Sequence, residues 1–429
     1  MASALLTDRY ELTMVDAALR DGTAGRECVF ELFARRLPEG RRFGVVAGTG
    51  RFLAELAEFR FGDAELGWLR ENSVVSPATL DWLADYRFGG SIRGYREGEV
   101  YLPGSPVLVV EGTFAEAVML ETLALSVYNH DSAIASAAAR MVAAAEDRPL
   151  AEMGSRRTGE RSAVAAARAA YIAGFAATSN LEAGRTWGIP TMGTAAHAFT
   201  LLHDSEEAAF RSQVTAMGPG TTLLVDTYDI AEGIATAVRV AGTGLGAIRI
   251  DSGDLPRVVA AARAQLDELG ATGTRITVTN DLDEYTIAAL RAAPVDSYGV
   301  GTALVTGSGA PAAGMVFKLV AHRGDGGDWV PVGKRSDGKA TVAGRKRAAR
   351  TLAEGVAAAE TVFVEEGDAV PEGRPLQVDL VVDGEPDPAY LGAAGVAAAR
   401  EHHAAVLAEL PPEAFALGRG EPVIPTVYV

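Results

Sequence analysis

Gly188 to Thr200 reads GIPTMGTAAHAFT, a short apolar run, Ile189 to Met192, that breaks at Gly193 and is followed by Thr194 and His197. An imidazole is a nucleophile, base or acid near neutral pH, and side chains leaving the carboxyl end of a strand in an α/β protein share one crevice. Alone, such a histidine is more often a packed polar residue. Its company changes that reading, because other short apolar runs end in the same style. Leu150 to Met153 leads into Gly154-Ser155-Arg156-Arg157, Ala176 to Ser179 into Asn180, and Thr222 to Val225 into Asp226-Thr227-Tyr228-Asp229. Ala247 to Ile250 carries Arg249 and ends in Asp251-Ser252-Gly253-Asp254, Ile276 to Thr279 ends in Asn280-Asp281, and Ser297 to Val300 in Gly301-Thr302. Arg156, Arg157 and Arg249 offer planar donors to carboxylate or phosphate, and Asp251, Asp254 and Asp281 suit ribose hydroxyls or Mg²⁺. Gly299, Gly301 and Thr302 can turn backbone N–H groups and a hydroxyl toward a phosphate. Each residue alone is explained by caps, turns and ion pairs; together they make the picture of one catalytic rim.

The elements that must position these residues follow from the pattern between them. The apolar runs are separated by segments with helical spacing: Arg161 to Phe175, Ser205 to Val214, Ala231 to Val240, Pro256 to Leu269 and Asp283 to Ala292. Strand and helix in alternation imply a parallel sheet with right-handed crossovers, and about seven such units close most naturally into an α/β barrel, with an open doubly wound sheet as the fallback. The two ends of the chain have another style. Leu5 to Arg20 has a helical stripe with Tyr10 in its first turn, Cys28 to Phe33 alternates like a strand, and Phe88 to Phe114 reads as short strands cut by glycine and proline. Beyond Ala310, strands are expected at Met315 to Ala321, Trp329 to Val332, Thr361 to Glu365 and Leu376 to Val382, then a helix at Ala389 to Leu410. The basic run Lys334 to Arg350 reads as a solvated loop. The expected organisation is therefore an α+β front, 1–114, and a tail, 311–429, forming one mainly β accessory domain around a catalytic domain, 115–310.

Composition narrows the function classes. At 429 residues and 48% hydrophobic content the chain can bury a large core. A formal charge of -17 argues against nucleic acid or an anionic membrane as partner. Cys28 is the single cysteine, so no intramolecular disulfide forms, and it reads as a small buried hydrophobe. No apolar run reaches spanning length, and MASALLTDRYE lacks the pattern of a signal peptide, so the expected location is the cytoplasm. Gly242-Thr243-Gly244-Leu245-Gly246 follows a helix and precedes a strand, the wrong order for a dinucleotide-binding turn. A barrel aldolase would need a strand-end lysine, and Thr113 to Val300 has none.

Taken in order, these segments resemble the nicotinate phosphoribosyltransferases and the related nicotinamide phosphoribosyltransferases. The matching stretches are LLTDRYELTM near the start, EMGSRR at Glu152 to Arg157, TSN at Thr178 to Asn180, and GIPTMGTAAHAF around His197. RIDSGDL at Arg249 to Leu255, TNDLDE at Thr279 to Glu284, YGVGTALVTG at Tyr298 to Gly307 and KRSDGKATVAGRK at Lys334 to Lys346 continue it, so the resemblance spans most of the chain.

The resemblance implies an irregular TIM-like α/β barrel of the type II phosphoribosyltransferases. The implied reaction joins nicotinate to 5-phosphoribosyl-1-pyrophosphate (PRPP) and yields nicotinate mononucleotide and pyrophosphate, with ATP as co-substrate and Mg²⁺ as cofactor. In this family the histidine matching His197 is phosphorylated by ATP, and the aspartate matching Asp226 orients it. By the same resemblance Arg249 meets the base, Asp251 the ribose, Asn280 and Asp281 the substrate, Gly301 and Thr302 the 5-phosphate, and Arg156 the base and pyrophosphate. Thr194 contacts nicotinate, and Tyr10 stacks on the pyridine from a neighbouring subunit, which implies a homodimer with shared sites. Ser179 fits a carboxylate-bearing base better than the aspartate expected of an amide reader, which favours nicotinate over nicotinamide. Outside the enzyme class, the alternative is a non-catalytic phosphate-ligand sensor on the same barrel. Arg9, Glu11, Ala177 and Ala198 depart from the usual family residues, and none removes a group the reaction needs.

Overall fold

The computed structural model describes residues 4–336, 341–364 and 372–429. Gly338 and Lys339 of the basic run, and Glu365 at the end of an expected strand, lie outside these residues. The chain divides into two compact units, Ala137–Gly309 and a second made of Met1–Ser136 with Ala310–Val429. The first junction therefore falls within the helix Glu121–Ala145, where the sequence puts it at 114/115. A long alanine-rich helix has one continuous periodicity, so nothing in its pattern marks where one unit ends.

The Ala137–Gly309 unit is built on six parallel strands in the spatial order 177–178, 150–152, 297–300, 275–278, 247–250, 222–224. Neighbours are held in fixed register, for example Thr277 beside Arg249 and Val278 beside Ile250. Side chains alternate along each strand: Ile248 and Ile250 are buried in the core while Arg249 leaves the opposite face. The expected helices are present as Glu160–Ile172, Glu206–Met217, Ile230–Ala241, Leu255–Glu268 and Glu284–Ala289. Their starts are chemically marked. Ser205, Asp229 and Asp283 each accept a hydrogen bond from a backbone N–H in the first turn, and Pro256 sits inside the start of its helix.

The closed ring expected from the repeat is not formed by hydrogen bonds among the described residues. Ile189 to Met192 contributes one parallel bridge, Thr178 with Thr191, and no pairing joins it to Thr222–Leu224. Pro190 has no N–H to extend a ladder; its carbonyl accepts from Thr178 N at 3.0 Å and Met192 N donates to Thr178 O at 2.9 Å. The arrangement is a parallel half-barrel sheet.

The other unit is mainly antiparallel. Its larger sheet runs 329–331, 315–323, 27–34, 108–113, 91–95, 377–382, 385–386, so strands from the front of the chain form the centre and strands from its tail flank them on both sides. A second sheet orders 374–375, 346–353, 356–364 and 426–428. The helices Arg9–Asp21 and Gly392–Glu409 match the sequence pattern, and Thr49–Glu58, Asp63–Glu71 and Pro77–Ala84, the last capped by Ser76, also belong to this unit. Lys334 to Arg350 is not simply a solvated loop. Its last residues begin the strand Lys346–Ala353, where Lys346, 1% exposed, pairs with Glu31 at 2.8 Å and Arg350, fully buried, pairs with Glu360 at 2.9 Å. Charge count misread this run because buried cations are retained only when paired, and the partners are distant in sequence. Cys28 is buried, as its type predicts. No helix among the described residues is long and apolar enough to cross a membrane.

Candidate active site

The carboxyl ends of the half-barrel strands open onto a crevice of about 520 Å³. Arg156, Ser179, Thr194, Arg249, Asp251, Asn280, Asp281, Gly301 and Thr302 line it, so most of the residues singled out from the sequence converge there. Each reaches it for the same local reason: an apolar strand is anchored in the core and its next residues turn outward with polar side chains. Asn280 (φ 99°) and Asp281 (φ 44°) take up left-handed backbone immediately after Thr279, a conformation non-glycine residues hold only where the surroundings impose it, and one that concentrates at functional sites.

Arg249 is held by three protein side chains. Its Nε donates to Thr279 Oγ1 at 3.1 Å, one Nη to Thr194 Oγ1 at 3.1 Å, and the other to Asp251 Oδ2 at 3.3 Å. Thr279 Oγ1 in turn donates to Asp251 Oδ1. The guanidinium and the carboxylate are therefore parts of one network at the crevice wall.

His197 begins the helix His197–Leu202 and its side chain is 41% exposed. The ring is held on the Nδ1 side by Thr227 Oγ1 at 3.1 Å, while Nε2 faces Asp226 Oδ1 at 3.8 Å and Asp251 Oδ2 at 3.9 Å. Asp226, expected to orient the histidine directly, stands beyond hydrogen-bond distance of it. Its side chain is 1% exposed, its Oδ2 accepts from Asp251 N at 2.9 Å and Ser252 Oγ at 2.6 Å, and its buried Oδ1 accepts no hydrogen bond. Glu206 lies near enough that burial, then the charges of Asp226 and Asp229, raise its carboxyl above the usual range.

Beneath the loop carrying Ser155 and Arg156, Glu152 is buried and accepts from Gly154 N and Thr178 Oγ1. Burial raises its carboxyl, opposed by these two hydrogen bonds. Asn180 caps the next helix and donates to Ser155 Oγ at 3.0 Å, tying two rim loops together. Thr227, Thr279 and Glu152 were not singled out from the sequence. The part of Thr279 shows only once the strands are paired: register puts Thr277 beside Arg249, so two residues on Thr279 stands beside Asp251.

Tyr10 lies in the other unit, on the helix Arg9–Asp21, and is 45% exposed; it is not among the crevice residues. Burial, then the charges of Glu121 and Glu11, raise its hydroxyl pKa. No group of three or more His, Cys, Asp or Glu side chains is gathered around a metal position among the described residues.

Comparison with known proteins gives this geometry a setting. A family model described as the nicotinate phosphoribosyltransferase (NAPRTase) N-terminal domain matches residues 5–129. The chain is 58% identical over 440 residues to nicotinate phosphoribosyltransferase pncB1 of Mycobacterium tuberculosis, covering 98% of this chain and 94% of that protein. It is 38% identical over 359 residues to nicotinate phosphoribosyltransferase of Bacillus subtilis, covering 81% and 73%. Among solved structures, the human nicotinic acid phosphoribosyltransferase superposes with a TM-score of 0.81 at 25% identity, covering 98% of this chain and 97% of that one.

Proposed function

The chain belongs to the nicotinate phosphoribosyltransferase family, and on that premise we propose that its crevice joins nicotinate to PRPP, releasing nicotinate mononucleotide and pyrophosphate in NAD salvage, with ATP hydrolysis coupled through His197. We read the half-barrel sheet with the bridged Thr191 segment as the irregular α/β barrel of the type II phosphoribosyltransferases. The observation that carries the reading is the convergence of Arg249, Thr194, Asp251 and the Gly301–Thr302 turn on one crevice.

Cleavage of the ribosyl–pyrophosphate bond builds positive charge at the anomeric carbon, so the protein's work is orientation and electrostatics. Asp251 supplies a carboxylate for the ribose hydroxyls and that developing charge. Arg249, Thr194 and the uncharged hydroxyl of Ser179 suit the carboxylate of nicotinate; an acidic side chain at 179 would repel it. The backbone of Gly301 and the Thr302 hydroxyl take the 5-phosphate, Arg156 takes the base and pyrophosphate, and Asn280 and Asp281 bound the sugar. His197 attacks the γ-phosphorus of ATP: the N–P bond forms as the bond to ADP breaks, and water later returns inorganic phosphate and the free imidazole. The two carboxylates facing Nε2 stabilise the ring when it is positively charged.

A Mg²⁺ ion fits the donors present, because Mg²⁺ is commonly held by one or two carboxylates together with substrate phosphates, and Asp226 Oδ1 is a buried oxygen without a hydrogen bond. Asp226 and Asp251 are the residues that would hold it, and the ion would neutralise the departing pyrophosphate. The exposure of Tyr10 is what a residue offered to a second copy's site requires, and a homodimer with shared sites is part of the proposal. The proposed setting is the cytoplasm, in keeping with an unpaired Cys28.

Incubation with γ-labelled ATP tests the coupling: acid-labile label should appear on His197 and be absent from His197→Ala. A wild-type protein that turns over PRPP and nicotinate yet never acquires label would remove the phosphohistidine from the account.

A further inference from the structure

We infer that Thr279 is a positioning residue that locks Arg249 and Asp251 to each other, so that the base-binding and ribose-binding groups are oriented as one unit. The inference rests on the proposed assignment of Arg249 to the base and Asp251 to the ribose; the lock itself is a matter of geometry. The Thr279 hydroxyl has a single hydrogen and two lone-pair directions. It accepts from Arg249 Nε at 3.1 Å and gives its hydrogen to Asp251 Oδ1, while Arg249 closes the ring with its own bond to Asp251 Oδ2 at 3.3 Å. Each of the three groups thus fixes the other two. Thr279 is itself held on three sides. Its backbone N–H donates to Ile250 O at 3.0 Å, and the residue is buried. Its methyl packs against the backbone of Gly299, where an added Cβ would come within 2.7 Å of Thr279 Cγ2 and 2.6 Å of Met153 Sδ. A β-branched side chain has few χ1 choices, and with the methyl seated in that glycine gap the hydroxyl is aimed at the Arg249–Asp251 pair.

On this arrangement threonine should serve better than serine. Serine would supply the hydroxyl without the methyl that aims it, and valine the methyl without the hydroxyl. Hydrogen bonds to charged partners stabilise by about 1.5–3 kcal/mol, which corresponds to roughly tenfold to a hundredfold in kcat/KM when the bond orients a group needed in the transition state.

The test uses Thr279→Val and Thr279→Ser in the whole 429-residue chain, with Thr277→Val, whose hydroxyl bonds to Ser297 Oγ at 2.8 Å, as the control two residues earlier. Thr279→Val should raise KM for nicotinate and for PRPP together and lower kcat/KM for both by about tenfold or more. Thr279→Ser should recover part of the loss, and Thr277→Val should stay within about twofold of wild type. Equal losses in the valine and serine variants, or a change in KM for one substrate alone, would overturn the inference. A crystal structure of Thr279→Val is the readout that does not depend on the reaction. The Arg249 guanidinium and Asp251 carboxylate should leave their positions while Met153 and Gly299 stay in place. Both side chains unmoved would overturn the lock even if nicotinate is turned over, and both displaced would support it even if nicotinate is not the substrate.

Discussion

Glu11 carries a pH dependence whose size can be worked from its surroundings. Its carboxylate is buried on the helix Arg9–Asp21 and receives Thr122 N at 2.8 Å together with the hydroxyls of Thr122 and Thr7. Burial raises its pKa from 4.5 to about 7, against the opposing pull of those hydrogen bonds. A folded-state pKa above the unfolded one means that the folded chain holds an extra proton between the two values. The favourable contribution is therefore complete below about pH 4.5, declines as pH rises, and is gone above about pH 7, at a difference on the order of 3 kcal/mol. Glu11→Gln removes the titration while its amide can still accept from Thr122 and donate to Thr7. Thermal unfolding from pH 4.5 to 8 should show the variant gaining on wild type as pH rises, by roughly 5 °C across the window and with no further change above it. A difference that stays constant with pH, or one that favours wild type at pH 8, would refute the reasoning by showing that Glu11 is ionised in the fold at no cost.

Other outcomes follow from single contacts. Lys346→Ala leaves Glu31 buried without its cation and should cost about 3–5 kcal/mol in urea unfolding, whereas Lys346→Met combined with Glu31→Leu should recover most of it. Gly299→Ala drives a methyl into Met153 and Thr279, so steady-state kinetics should show lowered activity with about 1–3 kcal/mol of lost stability; wild-type activity would mean that the gap is not tight. Ser179→Asp places a negative charge on the crevice wall and should reduce kcat/KM for nicotinate by about tenfold or more while affecting nicotinamide less, as measured in competition; equal losses would place the pyridine elsewhere.

The half-barrel was legible because every strand is an apolar run that stops at a polar turn, and Arg249 shows why its rim was legible too. It sits between Ile248 and Ile250, and alternation alone sends it to the face opposite the core. Two things were hidden. Closure depends on pairing between strands far apart in sequence, which periodicity cannot report: Thr191 bridges to Thr178, and no pairing among the described residues joins its segment to Thr222–Leu224. The buried cations Lys346 and Arg350 look like surface residues because their partners, Glu31 and Glu360, are known only once the strands are paired. The hydroxyl partners in the site were missed for a related reason. Thr227 and Thr279 are ordinary residues by type, and their part is set by what stands opposite them: His197 in one case, Arg249 with Asp251 in the other.

The central claim is tested most directly by supplying PRPP and Mg²⁺ with nicotinate or nicotinamide, with and without ATP, and separating the products. Nicotinate mononucleotide should form, faster with ATP and with ADP appearing beside it, and His197→Ala should lose both the stimulation and the ADP. Turnover of nicotinamide alone, or binding of the sugar phosphate without turnover of either base, would contradict the account.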